Sequence, residues 1–507
     1  MSKRYLMRLG KTPFEAVDAF HTLDRNTLGT NNGNLVYGAA SHKLFSTRDT
    51  VVDANRYKIN AAMADRVNDE YDGFILPLAN AFRPEFENEL LRTAQFLERL
   101  TIPFLMLSGG AQLPPDGDPA SLRKMEPTIR RFARAVLDGS SKLSVRGEMS
   151  AAYLRSLGFD DVVVVGCPSM TLHGPGHRVE VPDTLQPGAP IAYNLETKDP
   201  FGGDLIEDAE HNYLATYLPQ EHGTLELMLW ATAPYSEADL RLPLDSSHQQ
   251  FASGQAEFYL DAYPWIDRLA EMDFSFGARA HGNIAAVLGG TPCVMLAHDS
   301  RTFELARYHG IPYVVRGTEP LPATVQELYA LADFSEFNRG HTERFQRLSD
   351  FIHENGFEHI YDPGQESARA HYEARIRRID FPPPVRPTWQ DRPADVAHRH
   401  AVLQERSNRQ KQQQAQLRRD LGRLKAHSND QLAQLTERVD QAEKRAAAAV
   451  RRAEAAEQRA TRAEKKLAAI DKRVAKVSAE AQRATDRSQR AVRVPTRLRG
   501  LISRLRP

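Results

Sequence analysis

The sequence predicts an α/β protein that is followed by a long helical segment. In roughly the first three quarters of the chain, short apolar runs alternate with helical patterns of ten or more residues, which indicates parallel βαβ units. A stretch rich in Pro, Gly and His at about residues 173–188 interrupts this alternation and is typical of an interdomain linker. Beyond residue 400 the apolar residues adopt the 3,4 spacing of a coiled coil. We therefore predict two Rossmann-like domains in tandem and a C-terminal coiled coil.

The predicted boundaries follow from these changes of pattern. Residues 1–180 form the first domain and residues 181–380 the second. The stretch FPPPVRPTW opens a semi-rigid, Pro-rich linker over residues 381–400. Residues 401–486 form the coiled coil, although a single solvated helix held by charge pairs remains an alternative. Residues 487–507 form a basic amphipathic tail in which arginine alternates with Val, Leu and Ile.

Composition limits the classes of function. The 507 residues exceed what one hydrophobic core can organise, and 66 basic residues balance 66 acidic ones, which argues against a nucleic-acid binder. Two cysteines, Cys167 and Cys293, are too few for a disulfide framework and fit a reducing compartment. The N-terminus lacks the apolar core of a signal peptide, and no run of about 18 apolar residues occurs. We predict a cytoplasmic protein, with peripheral attachment to the inner face of the membrane left open by the tail.

Along the first domain, the turn-rich loop LGTNNGN at residues 28–34 precedes a helical run, LVYGAASHKLF. TVVDAN, GFILPLANAF and PFLML read as strands, with helical patterns between them. Ligands in parallel sheets bind outside the carboxyl ends of the strands, where LGTNNGN, LANAF and LSGGAQ fall. LSVR is a further short strand, which ends at Arg146 before a helix that starts at Glu148.

In the second domain, PIAYNLE reads as a strand, EDAEHNYLATYLP as a helix and TLELMLWATAP as a strand with a turn. The stretch DFSFGARAHGNIAAVLGGTPCV then has the order of strand end, polar turn, helix and strand. This order places Arg279 and His281 beside a helix N-terminus, where unpaired backbone N–H groups favour an anion. A fixed cation and a side chain that titrates near neutrality would share one pocket.

Two stretches resemble the polysaccharide pyruvyl transferase family: SVRGEMSAAYLRSLGFDDVVVVGCPSM and FGARAHGNIAAVLGGTPCVML. The resemblance spans roughly residues 25–320. It implies a two-domain fold like that of the GT-B glycosyltransferases, with phosphoenolpyruvate as donor and a sugar diol of a cell-surface glycan or its precursor as acceptor. The enolpyruvyl group would become a cyclic ketal. Three positions depart from the family pattern, namely Asn34 in place of a common aspartate, Leu78–Asn80 in place of a glycine-rich turn, and Ala280 in place of leucine.

The expected roles combine the resemblance with side-chain chemistry. Histidine can give or take a proton near neutral pH, so we expect His281 to transfer protons. Arginine binds carboxylate or phosphate through a bidentate fork, so we expect Arg279 to hold the donor and Arg146 to support it across the cleft. The amides of Gly282 and Asn283 are expected to bind phosphate oxygens. Candidates for acceptor or loop contacts are Asn32, Gly33, Asn34 and Asp299, the last with a helix N-cap as its alternative.

We expect no cofactor besides the donor and no metal, since nothing nearby completes a ligand set with His173 and His177. The expected partners are a glycan acceptor and a second copy through the coiled coil. For the tail, anionic lipid and a solvated state remain equal alternatives, and nucleic acid is not expected because the segment is short and lacks aromatic residues. Two other functions remain open: a nucleotide-sugar glycosyltransferase on the same architecture, and a non-catalytic sugar or phosphate reader on a coiled-coil scaffold.

Overall fold

The computed structural model describes residues 2–114, 117–195, 201–231, 241–318, 320–387 and 392–491. The chain divides into two compact units, Met1–Gln404 and Glu405–Pro507. All strands of the described residues lie in the first unit. The predicted boundary between residues 180 and 181 and the linker at 381–400 stay predictions. Most of the predicted basic tail, residues 492–507, lies outside the described residues.

Parallel β-sheets form the centre of the first unit, as the alternating pattern predicts. The described strands are β1 Lys3–Met7, β2 Thr50–Ala54, β3 Gly73–Pro77, β4 Phe104–Leu107, β5 Leu143–Val145, β6 Val162–Val164, β7 Pro190–Asn194, β8 Leu214–Tyr217, β9 Phe274–Gly277, β10 Cys293–Ala297 and β11 Tyr313–Val315. One sheet has the order β2-β1-β3-β4, another the order β11-β10-β9-β7-β8, and β5 pairs with β6. A parallel bridge between Gly109 and Val145 connects the β5-β6 pair to the end of β4.

The described helices lie between these strands or, from residue 325 onward, after the last of them. They are α1 Ala19–Arg25, α2 Gly33–Phe45, α3 Ala64–Glu70, α4 Glu87–Leu97, α5 Glu126–Leu137, α6 Glu148–Ser156, α7 Gly203–Asn212, α8 His222–Trp230, α9 Gln249–Ala252, α10 Ala262–Leu269, α11 Ala280–Gly289, α12 Ser300–His309, α13 Val325–Tyr329, α14 Ser335–Glu354, α15 Glu366–Ile376 and α16 Pro393–Ala491. The strand–helix alternation is the arrangement expected when each helix covers one face of a parallel sheet.

Two helices of the first unit each pack against the sheet formed by the other part of the chain. Helix α2 comes from the N-terminal part of the chain, yet its buried Val36 and Tyr37 belong to the same apolar core as the five-stranded sheet. Helix α14 comes from the C-terminal part, and its Leu348 and Phe351 pack into the core beneath β1, β3 and β4. These contacts join the two larger sheets in one compact unit and bring the ends of their strands close together.

Some of the predicted elements were wrong. The run TLELMLW, predicted as a strand, lies in helix α8, and LATY, predicted as the end of a helix, forms β8. No strand was assigned to Lys3–Met7, which forms β1 next to β2 and β3. Helix α8 is buried around most of its circumference, so its sequence lacks the polar face that distinguishes a helix from a buried strand.

The C-terminal segment is one uninterrupted helix of 99 residues, α16. All its described side chains from residue 408 to residue 489 are exposed. The predicted helical character is therefore confirmed, whereas pairing with another helix stays a proposal. None of the described helices combines the length and the apolar composition that crossing a membrane requires.

Candidate active site

A cleft of about 730 Å³ lies where the loops that follow the strands of the two larger sheets approach one another. Its walls include the segment 78–81 after β3, Gln112 after β4 and residues 279–281 after β9. This is the position at which parallel sheets bind ligands. The polar and charged side chains that line it include Arg8, Asn34, Asn80, Arg83, Glu85, Glu89, Gln112, Arg146, Gln220, Arg279, His281 and Arg301.

The turn between β9 and α11 places Arg279 and His281 in this cleft. Gly277 has a φ of 150°, and a Cβ at this position would lie 1.9 Å from the carbonyl oxygen of Asn194, so only glycine fits. The Asn194 side chain accepts a hydrogen bond from the Arg279 amide at 2.8 Å. Arg279 is the N-cap of α11, and His281 is the second residue of the helix. The predicted order of strand end, turn and helix is confirmed.

Three of the cleft arginines have carboxylate partners, and the longest of these pairs joins Arg8 to Glu89 at 3.8 Å. Arg279 forms an ion pair with Glu221, and its Nε donates to the carbonyl of Leu195 at 3.2 Å. Arg301 lies 3.1 Å from the carboxylate of Asp299. Because each carboxylate offsets one positive charge, these arginines attract an anionic ligand less strongly than free guanidinium groups would.

Arg146 and Arg83 have no carboxylate within ion-pair distance among the described residues. Arg146 is 2% exposed, its Nε has no hydrogen-bond partner in the described structure, and burial lowers its pKa, while the Glu304 carboxylate, beyond ion-pair distance, partly offsets this effect. Burial and the neighbouring arginines also lower the pKa of Arg83, to about 10, and its guanidinium lies 4.9 Å from the centre of the Phe86 ring. A buried cation without a counterion is costly. We therefore expect a bound anion to complete this part of the cleft.

His281 is neutral among the arginines of the cleft. Burial lowers the pKa of His281 to about 3, and three guanidinium groups add to this effect, those of Arg146, Arg301 and Arg279 in order of size. Its Nε2 lies 4.0 Å from Sγ of Cys167, and the Tyr37 ring contacts it edge-on with the ring centres 6.1 Å apart. An anion that offsets the arginines would raise the pKa of His281 toward its ordinary value.

The amides of Gly282 and Asn283 do not have the predicted role. Both donate to the carbonyl oxygen of Arg279, at 3.1 and 3.3 Å, so they belong to the first turn of α11. The Asn283 side chain is buried and donates to the carbonyls of Gly277 and Arg279. The first-turn amides with no acceptor in the described structure are those of Ala280 and His281, because the first N–H groups of a helix have no partner within it.

Asp299 caps a helix, which was the stated alternative for this residue. Its carboxylate accepts from the Thr302 amide at 2.9 Å, and the Thr302 hydroxyl completes a capping box. Its ion pair with Arg301 holds that arginine at the cleft. Asp299 itself is not among the residues that line the cleft, so a direct contact with an acceptor hydroxyl is not supported.

The predicted loop at residues 28–34 does reach the site, but its three candidate residues differ in what they contact. Asn32 is buried and its side chain donates to the Tyr259 carbonyl at 3.1 Å, which ties the loop to the other half of the unit. Asn34 lines the cleft and donates to the Leu28 carbonyl at 2.8 Å. Gly33 begins helix α2 and lies directly against His281.

We expect Gly33→Ala to lower activity while leaving the fold intact. A Cβ at residue 33 would lie 2.8 Å from both Cβ and Nδ1 of His281, whereas the helical backbone itself accommodates alanine. Displacing a reacting group by about 1 Å can cost about 100-fold in rate. Gly176→Ala is the control, since a Cβ there meets nothing within 4 Å. Equal rates for the two variants would contradict this packing.

Five further residues of the site were not identified from the sequence. They are Arg8, Arg83, Gln220, Glu221 and Arg301. Each follows the end of a strand or its loop, so the rule that strand ends carry ligands could have found them. Arg8 and Gln220 were missed because β1 and β8, the strands that precede them, were not recognised.

The described residues contain one set of three potential metal ligands, outside the cleft: His353, His359 and Asp362. Nδ1 of His359 accepts from the Tyr361 amide at 3.2 Å, so the proton of the neutral ring is on Nε2. Nε2 of His359 faces Ser349 and the Asp362 carboxylate. In this structure both histidines contact the Asp362 carboxylate, His353 at 3.0 Å and His359 at 3.2 Å.

The fold and the cleft define an α/β protein with an arginine-rich site at the ends of parallel strands. Residues 82–300 match the family described as polysaccharide pyruvyl transferase. The family that the sequence motifs indicated is thereby confirmed over this segment, which contains Arg146, Arg279 and His281. The match is shorter than the predicted span of 25–320, and the altered positions Asn34 and Leu78–Asn80 lie outside it.

No curated protein sequence matches the chain at a significant level. Several solved structures are distantly similar. The MnaA–UDP complex of S. aureus is 11% identical, with a TM-score of 0.36, over 75% of this chain and 99% of that one. UDP-GlcNAc 2-epimerase from Neisseria meningitidis is 11% identical (TM-score 0.34; 74% and 99% covered), and the glycosyltransferase SnogD from Streptomyces nogalater is 14% identical (TM-score 0.30; 74% and 100% covered). Similarities this distant do not indicate which ligand this chain binds.

Proposed function

We propose that this protein transfers the enolpyruvyl group of phosphoenolpyruvate to a sugar diol of a cell-surface glycan or its precursor, forming a cyclic ketal. The observation that carries the proposal is the position of His281 among three arginines, one of which, Arg146, is buried with no ion pair among the described residues. A small donor with a carboxylate and a phosphate matches this charge distribution. The family match over residues 82–300 supports the transferase class.

In the proposed reaction, Arg146 and Arg279 hold the carboxylate and phosphate of the donor. His281 gives a proton to the methylene carbon, which becomes the methyl group, and the adjacent carbon becomes electrophilic. One acceptor hydroxyl attacks that carbon and returns a proton to His281. The second hydroxyl then displaces the phosphate, and its proton leaves with the phosphate. The two hydroxyl protons thus account for the new methyl hydrogen and for the protonated phosphate.

The charges of the cleft make this proton transfer depend on the donor. With a pKa of about 3 before the donor binds, His281 is uncharged near neutral pH and lacks the second ring proton that it would donate. Donor binding offsets the positive charge of the arginines and raises the pKa of His281, so the histidine gains its proton when the donor is in place. A general acid that is charged only in the complex is suited to a reaction whose first step is protonation of the donor.

Several wider features belong to the same proposal. We place the two larger sheets in two Rossmann-like domains of GT-B type, with α16 as a coiled coil that joins copies of the chain. We place the protein in the cytoplasm, with anionic lipid and solvent as the two alternatives for the tail. Asn34, which replaces the aspartate common in the family, and Leu78–Asn80, which replace its glycine-rich turn, both line the cleft. We assign these altered positions to the acceptor side. For that reason a nucleotide-sugar glycosyltransferase and a non-catalytic reader remain the alternatives.

The test is phosphate release from phosphoenolpyruvate in the presence of a panel of diol-bearing glycans and lipid- or nucleotide-linked precursors. We expect release with at least one acceptor, together with a product whose mass increases by one pyruvyl ketal. Release of a nucleoside diphosphate from nucleotide sugars instead would favour a glycosyltransferase. Binding of sugar or phosphoenolpyruvate, with no turnover in the presence of any acceptor, would favour the non-catalytic reader.

A further inference from the structure

Helix α16 carries an apolar seam that is open to solvent. Between residues 432 and 484, apolar residues recur at alternating intervals of three and four, which are the a and d positions of a heptad. The larger side chains of this seam are 54–66% exposed. They are Leu432, Leu435, Val439, Leu467, Ile470, Val474 and Val477, and alanine fills the positions between Val439 and Leu467. The seam spans eight heptads, or about 80 Å of helix.

The two positions that flank the seam carry opposite charges. Basic residues occupy the g positions at Arg438, Arg445, Arg452, Arg459, Lys466 and Arg473. Acidic residues occupy the e positions at Glu443, Glu457, Glu464 and Asp471. The remaining e positions in the seam are neutral, and the only acidic g position is Glu480. The segregation of sign by heptad position is sustained over about five heptads.

These charges have no partners within their own helix. Stabilising pairs on one helix lie three or four residues apart. Counting three and four residues in both directions from Glu457 and from Glu464 reaches no basic residue, and counting from Arg452 and from Arg459 reaches no acidic one. The same holds for the other acidic e residues and for Arg438 and Lys466. In the described part of the helix, none of the e and g charges forms an ion pair. A solvated single helix gives no reason for this arrangement.

We propose that the seam pairs with a second copy of this chain in a parallel, in-register, two-stranded coiled coil. In that arrangement a g residue faces the e residue five positions further along in the partner chain. Four basic g residues then face acidic e residues: Arg438 faces Glu443, Arg452 faces Glu457, Arg459 faces Glu464 and Lys466 faces Asp471. No facing pair carries charges of the same sign.

An antiparallel pair does not fit these charges. It would place g residues against g residues and e residues against e residues, so that arginines would face arginines. More than two strands do not fit the alanines, because the wider axis of a larger bundle would leave empty space that a methyl group cannot fill. The proposal rests on the coiled-coil assembly proposed above and is independent of the reaction in the cleft.

A cysteine cross-link tests orientation and register in the full chain. In a parallel, in-register pair, residue 442 of one chain meets residue 442 of the other, whereas an antiparallel seam would place it near residue 474. We expect Ala442→Cys to form a disulfide-linked dimer nearly completely under mild oxidation. Gln441→Cys, one residue away on the outer face, is the matched control and should remain mostly unlinked. Cys167 and Cys293 are buried and are to be blocked on denaturation, before electrophoresis. A dimeric mass without a link at residue 442 overturns the proposed orientation.

A charge exchange tests the pairing of e with g. One variant carries Arg452→Glu and Arg459→Glu, and the other carries Glu457→Lys and Glu464→Lys. Light scattering at low salt should show each variant alone dissociating at a protein concentration about tenfold or more above that of the wild type, because like charges then face each other. An equimolar mixture should restore a two-chain particle. A monomeric wild-type chain, a trimer, or variants that dimerise alone as tightly as wild type would overturn the proposal. Phosphate release is measured in parallel, so failure of the assembly and failure of the proposed reaction are distinguished.

Discussion

His281→Asn should lower the rate of phosphate release from phosphoenolpyruvate by about 100- to 10,000-fold, the range that a positioned general acid or base contributes. Asparagine retains a polar side chain of similar length but cannot exchange a proton at these pH values. The control is His371→Asn, which changes an exposed histidine outside the cleft and should leave the rate unchanged. Undiminished turnover by His281→Asn would rule out the proposed proton transfer.

The same variant separates proton transfer from a purely structural role. In the wild-type protein the pKa of His281 is about 3 in the empty cleft, and the donor's negative charges should raise it. Donor binding should therefore take up protons, and the uptake should grow as the pH falls from 7 toward 5. Calorimetry in two buffers of different ionisation enthalpy measures this uptake. In His281→Asn the donor should still bind while most of the uptake is lost, a result that a change in packing alone would not produce.

Arg146→Met should weaken donor binding by about 30- to 1,000-fold, because it removes one partner of a buried charge pair, an effect of about 2–4 kcal/mol. The melting temperature of the empty protein should not fall. In the absence of the donor, Arg146 is a buried cation with no ion pair in the described structure, and methionine fills similar space without that charge. A residue whose charge serves ligand binding and not folding is expected to show this combination, in which its replacement weakens binding without lowering stability.

Arg279→Met is the comparison for this prediction. Because Arg279 already pairs with Glu221, its loss should weaken donor binding less than the loss of Arg146, and it should lower stability by leaving the Glu221 carboxylate buried without a counterion. Arg146→Lys retains the charge but not the fork, so it should recover only part of the affinity. Titration of each variant with phosphoenolpyruvate, alongside thermal melts, tests the order. A larger loss of affinity in Arg279→Met than in Arg146→Met would contradict the charge assignment.

The parts of the site that sequence reasoning predicted well are those formed by neighbours in the chain. The Arg279-to-His281 turn follows from an apolar strand, a glycine and a helical pattern that are all local. The assignment of Asp299 as a possible N-cap rests on the same kind of signal, and the structure places it there. Where the local signal was ambiguous the prediction was wrong, as for α8, whose burial removes the polar face that would have marked it as a helix.

The sequence by itself determined the α/β class, the family resemblance, the long C-terminal helix and the residues most suited to proton transfer and anion binding. Only the tertiary structure decided which arginine of the cleft lacks an ion pair in the described part of the chain. Arg279 is neutralised by Glu221, 58 positions earlier in the chain, while Arg146, near His281, forms no ion pair with any residue that the structure describes. Backbone preferences and hydrophobic periodicity act between neighbours and can be read along the chain. Burial and electrostatic interactions depend on distance in space, so the charge state of the cleft is set by side chains that the fold brings together.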